Sequence, residues 1–397
     1  MGHRKRLLAG LLAALLLGGC GASREGEGGS SSGEATQAPV SEVQEVPAAP
    51  EPRQAVLLAA GDNLIHDVIY WQAAARTGGE GYDFAPAYER IAPLVAEADF
   101  AFINQETVLA GAELPPSSYP MFCSPPEVGE EMLKLGFNLF STANNHCFDK
   151  GEAGLQASGR FWDAHPEAAV AGCYRTPEER DRTALLTREG ITVALVAAAE
   201  QTNGLSLPPE SQAGVLLLSD RETLRQKLAQ AREEADFVIL SVHWGVVGAA
   251  APSESQRALA RELAEEGADL ILGHHSHVLQ GGEYLETSRG RSYVAYSLGN
   301  FISAQVGAQN MAAGLLRVEL TMEEGEPARI AGVDFLPTVT HYGPGFQDLT
   351  VYPLSEYTPE LAESHGVRAH DNRFGWQYLE EQLAALDFGS RGTVLPG

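Results

Sequence analysis

A series of short β-rich runs, separated by helix-patterned stretches, restricts this chain to a layered architecture. The runs are VLLAAG (56–61), DFAFIN (99–104), FNLFSTA (137–143), ITVALVA (191–197), DFVILSV (236–242), DLILG (269–273) and SYVAYSL (292–298). Between them lie EVGEEMLKLG (127–136), RETLRQKLAQAREEA (221–235) and SESQRALARELAEEGA (253–268). In the last of these, Ser253 can cap a helix in which Leu259, Leu263 and neighbouring alanines recur at helical spacing. Such alternation predicts an α/β fold with helices on the sheet faces. No internal repeat is visible.

The residues just past each run carry the chemistry. Asp62 comes after the first, with His66 four residues later in GDNLIHD. The second runs into Asn104-Gln105-Glu106, and the third into Asn144-Asn145-His146 with Asp149 beyond. His243-Trp244-Gly245 stands after the fifth, and His274-His275-Ser276-His277 after the sixth. In α/β sheets, ligands bind in the crevice outside the carboxyl ends of the strands. Taken singly, each motif reads more simply as a capped turn, a solvated loop or a polar helix start. Five in succession, all with metal-capable side chains, predict a metal site. Oxygen and neutral imidazole donors without thiolate suit Mn, Fe or Zn. The extended backbone expected at His274–His277 would turn His274 away from His275 and His277, so His274 is left out of the ligand set.

The N-terminus reads as an export signal. Arg4, Lys5 and Arg6 precede the apolar run Leu7–Leu17, which is shorter than the roughly 20 residues of a spanning helix. The end, Leu17-Gly18-Gly19-Cys20, is patterned like a lipobox, so residues 1–19 are expected to be a lipoprotein signal peptide and Cys20 the lipidated residue, with an ordinary signal peptide as the alternative. Residues 20–53 are rich in Gly, Ser, Glu and Pro and read as a disordered tether. The expected location is therefore the cell envelope, outside the cytoplasm, with the membrane reached through the lipid. With 27 Lys+Arg against 53 Asp+Glu, the chain is not expected to bind nucleic acid, whereas divalent cations are attracted. Beyond Cys20, the odd number of cysteines (Cys123, Cys147 and Cys173) leaves at least one free thiol. Cys147 adjoins His146, but nothing else in the sequence marks it as a nucleophile, and buried packing is its simpler reading.

The motifs GDNLIHD (61–67), NQET (104–107), YPMFCSPPEV (119–128), ANNHCFDKG (143–151), HWG (243–245), GADLILGHHSHVLQ (267–280) and YSLGNFI (296–302) together resemble the CapA-type (poly-γ-glutamate synthesis) family, a branch of the calcineurin-like metallophosphoesterase superfamily. The likeness spans roughly residues 55–345. Gln105, Ser276 and Val246-Val247 stand where such proteins usually carry leucine, proline and a Glu-Tyr pair. The resemblance implies a four-layer sandwich of two β-sheets flanked by helices over residues 54–345, with residues 346–397 a C-terminal helical extension packed on it.

It also implies a centre of two divalent metals. Asp62, His66 and His277 would hold one and Asn145, His243 and His275 the other, with Glu106 bridging. His66 is the exception to the superfamily pattern, where the histidine usually stands two residues after the aspartate; a surface histidine beside Asp67 is its alternative reading. His146 would stand over the metals as general acid, oriented by Asp149. Two functions are then open: a metal-dependent hydrolase of phosphoester or γ-glutamyl linkages, or a non-catalytic component of a poly-γ-glutamate or other surface-polymer synthesis complex.

Overall fold

The computed structural model describes residues 51–389. The leader, Cys20 and all but the end of the tether lie outside the described residues. Two sheets dominate the fold. In the larger, the strands run Thr350–Pro353, Arg329–His341, Ala312–Met322, Arg53–Asn63, Phe100–Gln105, Leu139–Ser141 and Ala169–Ala171, with Asn300–Ile302 also pairing parallel to Arg53–Asn63. The last four strands of that order are mutually parallel, so their carboxyl ends share one rim. The six-stranded sheet runs Leu279–Thr287, Gly290–Leu298, Leu270–His274, Phe237–His243, Ile191–Ala199 and Ala184–Arg188, and its four inner strands are parallel. The segment after residue 345 contributes the edge strand Thr350–Pro353 as well as the helices Pro359–Ser364 and Trp376–Ala384. Among the described residues, no helix is long and apolar enough to cross a membrane.

Residue parity along the strands explains the layering. In the six-stranded sheet, Val193, Leu195, Phe237, Ile239, Leu270 and Leu272 share a core with Leu57, Phe102 and Leu316 of the larger sheet. The intervening Val196, Val238, Leu240 and Ile271 are covered instead by Leu224 and Leu228 of helix Arg221–Glu234 and Leu263 of helix Glu254–Glu266. The larger sheet repeats the pattern: Phe102 tilts against His274 of the facing sheet, while Phe140 packs on Trp162 of helix Gly151–Asp163. The result is two sheets face to face with helices outside, the expected sandwich. The helix at 254–266 begins with the expected Ser253 cap, and Gln256 completes a reciprocal capping box.

The sheets approach closely at their carboxyl rim, where small residues are obligatory. A Cβ built on Gly61 would lie 2.0 Å from the Gly299 carbonyl oxygen, and the adjacent Asp62 amide donates to that oxygen at 2.9 Å. We expect Gly61→Ala to cost about 1–3 kcal/mol through overpacking, read as a lower denaturant midpoint. A variant as stable as the wild type would contradict this packing.

Candidate metal centre

The parity that builds the core also aims the polar strand ends. Asp62 and Asn104 are register partners, as are His243 and His274, and all four point into the interlayer space that Phe102, Ile239 and Leu272 fill deeper in. Here the space turns polar. Asp62 is fully buried, and its Oδ1 accepts from Asn104 Nδ2 at 2.8 Å and lies 3.0 Å from His274 Nδ1. Its Oδ2 accepts the His275 backbone amide at 3.2 Å and lies 3.4 Å from His277 Nδ1.

His274 therefore does not turn away from the site. Extended backbone would have carried it off, but His275 (φ 90) and His277 (φ 57) occupy the left-handed region. These conformations are strained for non-glycine residues, and such strain concentrates at functional sites. They fold the loop back so that all three histidines surround Asp62: His274 beneath one oxygen, His275 and His277 around the other.

Glu106 is fully buried, and neither of its carboxylate oxygens has a hydrogen-bond donor. Its Oε1 lies 3.5 Å from His243 Nε2 and 3.7 Å from His277 Nε2. Donor atoms of Asp62, Glu106 and His277 all fall within 4.8 Å of one another. A second cluster forms around His243 Nε2, with Asn145 Oδ1 at 2.7 Å and His275 Nδ1 at 3.1 Å. Glu106 thus stands between two groups of donors. His66 is not in the first group: its Nδ1 lies 3.2 Å from both the Leu64 carbonyl and the Ala304 amide, and its ring meets Phe122 edge-on. It lines the same cleft as His275 and His277.

The electrostatics fit a cation. Burial raises the Glu106 carboxyl well above its ordinary range, despite the nearby His277 charge. Burial would also raise Asp62, but His274 and His277 outweigh it and hold its pKa well below the usual value. Burial and neighbouring imidazoles keep His243 and His275 neutral, His275 at about 4. For His277, burial is overcome by Glu106 and Asp62, which push it up to about 9. An orphaned buried carboxylate beside neutral imidazoles is a donor set a divalent cation would satisfy. Asn300 adds orientation. Its amide nitrogen donates to Ser303 and Gln305, so its Oδ1 accepts from His277 Nδ1 at 2.9 Å and leaves Nε2 facing Glu106.

Above these clusters, His146 Nδ1 is 2.8 Å from Asp149 Oδ2, which also accepts the Phe122 amide at 2.6 Å. The carboxylate fixes the tautomer with the proton on Nδ1 and leaves Nε2 for a bound molecule. His146 and Asp149 line the cleft together with Asn145, His275 and His277. Cys147 is buried, and its thiol is pushed well up by burial and by Cys173, which disfavours the thiolate a nucleophile needs. Asn104, His274, Asn300 and Asn203, whose Oδ1 accepts from Asn145 at 3.1 Å, are not among the sequence-derived candidates. Strand parity could have found Asn104, two residues before Glu106. No sequence signal marks Asn203.

Metal binding must displace protons from this site. With no cation, burial raises the Glu106 carboxyl above its ordinary range, and the neighbouring carboxylates hold the His277 proton up to about 9. We therefore expect Mn²⁺ affinity to rise between pH 6 and pH 9, with release of at least one proton per site at pH 7. Calorimetry in two buffers of different ionisation enthalpy measures this release. Binding without net proton release would contradict the charge assignment.

The family model of the bacterial capsule synthesis protein PGA_cap matches residues 56–305. The PGA biosynthesis protein CapA of Bacillus subtilis (strain 168) is 29% identical over 258 residues, covering 63% of this chain and 61% of that protein. The capsule biosynthesis protein CapA of Bacillus anthracis is 27% identical over 219 residues, covering 51% of this chain and 52% of that protein. The chain thus spans less than two thirds of either relative. Among solved structures, a putative 5′-nucleotidase from Staphylococcus aureus aligns with 80% of this chain and 58% of its own, at 15% identity and a TM-score of 0.42. The family match covers the strands that carry Asp62, Glu106, His243 and His274 and the loops that carry Asn145, His275 and His277, and on it the chain belongs to the bacterial capsule synthesis protein PGA_cap family.

Proposed function

We propose that this chain is a metal-dependent hydrolase of the metallophosphoesterase type. It would act in the cell envelope, held to the membrane by lipid at Cys20, on a phosphoester or γ-glutamyl linkage of surface-polymer metabolism. The names of the two Bacillus relatives support the link to capsule and poly-γ-glutamate synthesis. The observation that carries the catalytic part is the His146–Asp149 pair, which opens on the same cleft as His275 and His277. Binding alone has no need of a histidine whose tautomer is fixed by a buried carboxylate.

Asp62, Glu106 and His277 on one side, and Asn145, His243 and His275 on the other, would hold two divalent ions, and the backbone contacts of His66 occupy its Nδ1 and leave Nε2 as the donor it could offer the first group. Ions bound there would act as Lewis acids on the attacked group and make water a stronger nucleophile at neutral pH. The chain's own contribution is orientation and proton transfer. Asn300 holds His277, Asn104 holds Asp62, and Asn203 holds the Asn145 amide. Asp149 fixes His146 so that Nε2 can carry a proton to a leaving oxygen, or to a leaving nitrogen, where protonation matters more.

The second reading, a non-catalytic part of a polymer-assembly complex, draws on the same two names. Turnover separates the two. The manganese-loaded protein is assayed on phosphomonoesters, phosphodiesters and γ-glutamyl peptides. His146→Ala is expected to lower kcat by about 10²–10⁴-fold with metal content unchanged, and chelation to abolish activity. Absence of turnover by the metal-loaded wild type on every substrate would favour assembly.

A further inference from the structure

The exposed apolar side chains of this molecule are concentrated at the mouth of the catalytic cleft. Among the described residues, the exposed large hydrophobics are Trp71, Tyr119, Met121, Leu185, Val246, Val247 and Val306. Tyr119, Met121 and Val247 line the cleft; Val246 adjoins Val247, and Val306 comes directly after the lining residue Gln305. Tyr119 is 74% exposed and Val246 68%, and exposed apolar side chains grouped around one cleft mark a ligand-binding surface rather than scattered exposure.

Both walls are built to present these residues. On one side, Ser117 and Cys123 exchange backbone hydrogen bonds, and Asp149 accepts the Phe122 amide, pinning the 119–122 loop to the catalytic dyad. The Phe122 ring stands edge-on to His146 at 4.7 Å, and Tyr119 stands edge-on to Phe122 at 6.4 Å. An apolar wall therefore runs from the proposed proton donor out to solvent. On the other side, the Gly245 amide donates to Glu200 at 2.7 Å and the Gly248 amide to the Ser276 carbonyl at 2.8 Å, so the intervening Val246 and Val247 project outward.

The cleft holds about 670 Å³ and is lined by no lysine, arginine or glutamate. Beyond the histidines and Asp149, its polar lining consists of the neutral amides Gln201, Asn203, Gln305 and Asn145. A polyanionic strand lying along it would find no lysine or arginine on the walls and a positive charge only on His277, in a chain of net charge −26.

We propose that the leaving side of the substrate, the side next to His146, carries an uncharged apolar substituent that the Tyr119–Met121 and Val246–Val247 walls enclose. The substrate is thus an amphiphile, with a polar or anionic reacting group at the metal clusters and an alkyl or aryl arm at the mouth. This rests on the hydrolase reading for the identity of the reacting group, so the test reads binding separately from turnover. The full chain, loaded with manganese, is titrated by calorimetry with octylphosphonate and with ethylphosphonate, both below micellar concentration. Octylphosphonate is expected to bind at least about 10-fold more tightly, because each buried methylene adds to the affinity. The preference is expected to disappear in Val247→Glu and in Tyr119→Ala, and to persist in Leu185→Glu, an exposed apolar site on another strand.

Equal affinities, binding of neither phosphonate, or a preference that survives in both cleft variants would overturn the apolar subsite. Hydrolysis of octyl and ethyl phosphodiesters is then measured on the same preparations. A binding preference without turnover of either ester leaves the subsite standing and defeats the phosphodiesterase form of the hydrolase reading. Turnover of both esters without a binding preference does the reverse.

Discussion

Everything in this molecule is arranged around two carboxylates, Asp62 and Glu106, taken fully out of water at the ends of neighbouring parallel strands. An uncompensated buried carboxylate costs several kcal/mol even after relaxation, on the order of the whole stability of a domain when there are two. The fold compensates Asp62 within the protein, through Asn104, the His275 amide, His274 and His277. It leaves Glu106 without a donor on either oxygen. That asymmetry is hard to understand as a device for stability, because an apolar residue of similar volume would pack there at less cost. It is readily understood as a place kept for positive charge.

The route from sequence to that place is a matter of parity. Alternate residues of the inner strands are apolar over most of their length and fuse the two sheets into one core. The same alternation, continued past the last apolar residue, delivers Asp62, Asn104, His243 and His274 to the interlayer space. The core and the site are therefore one pattern read at two depths, and a register slip of one residue would lose both together. Glycine serves the same end, since Gly61 and Gly273 admit the backbones of Gly299 and Tyr296 at distances no Cβ would allow.

The parallel strands and the helices at 221–234 and 254–266 are legible because their signals are strong: β-branched runs, helical spacing, and the Ser253/Gln256 capping box. Less legible are the antiparallel strands Leu279–Thr287, Ala312–Met322 and Arg329–His341. Gly281-Gly282 interrupts the first and Pro337 the last, and only Leu316-Arg317-Val318-Glu319-Leu320 in the second shows clear alternation. In the site, the residue types at the strand ends can be read, but their directions cannot. Sequence misdirects His274 because it carries no sign that His275 and His277 adopt positive φ. Resemblance groups His66 with Asp62; the structure places it in the same cleft and holds its Nδ1 against the Leu64 and Ala304 backbone, a contact no sequence signal marks. Asn203 and the apolar cleft mouth arise from loops brought together only by the completed fold.

Locating the cations decides whether Glu106 is a place kept for charge. Crystals of the manganese-loaded protein would be measured at the manganese absorption edge, for the wild type and for Glu106→Gln. Anomalous peaks are expected among Asp62, Glu106 and His277 and beside His243, Asn145 and His275, weakened or lost in the variant. A wild-type protein saturated with manganese but without a peak touching Glu106 would contradict a cation site on that carboxylate.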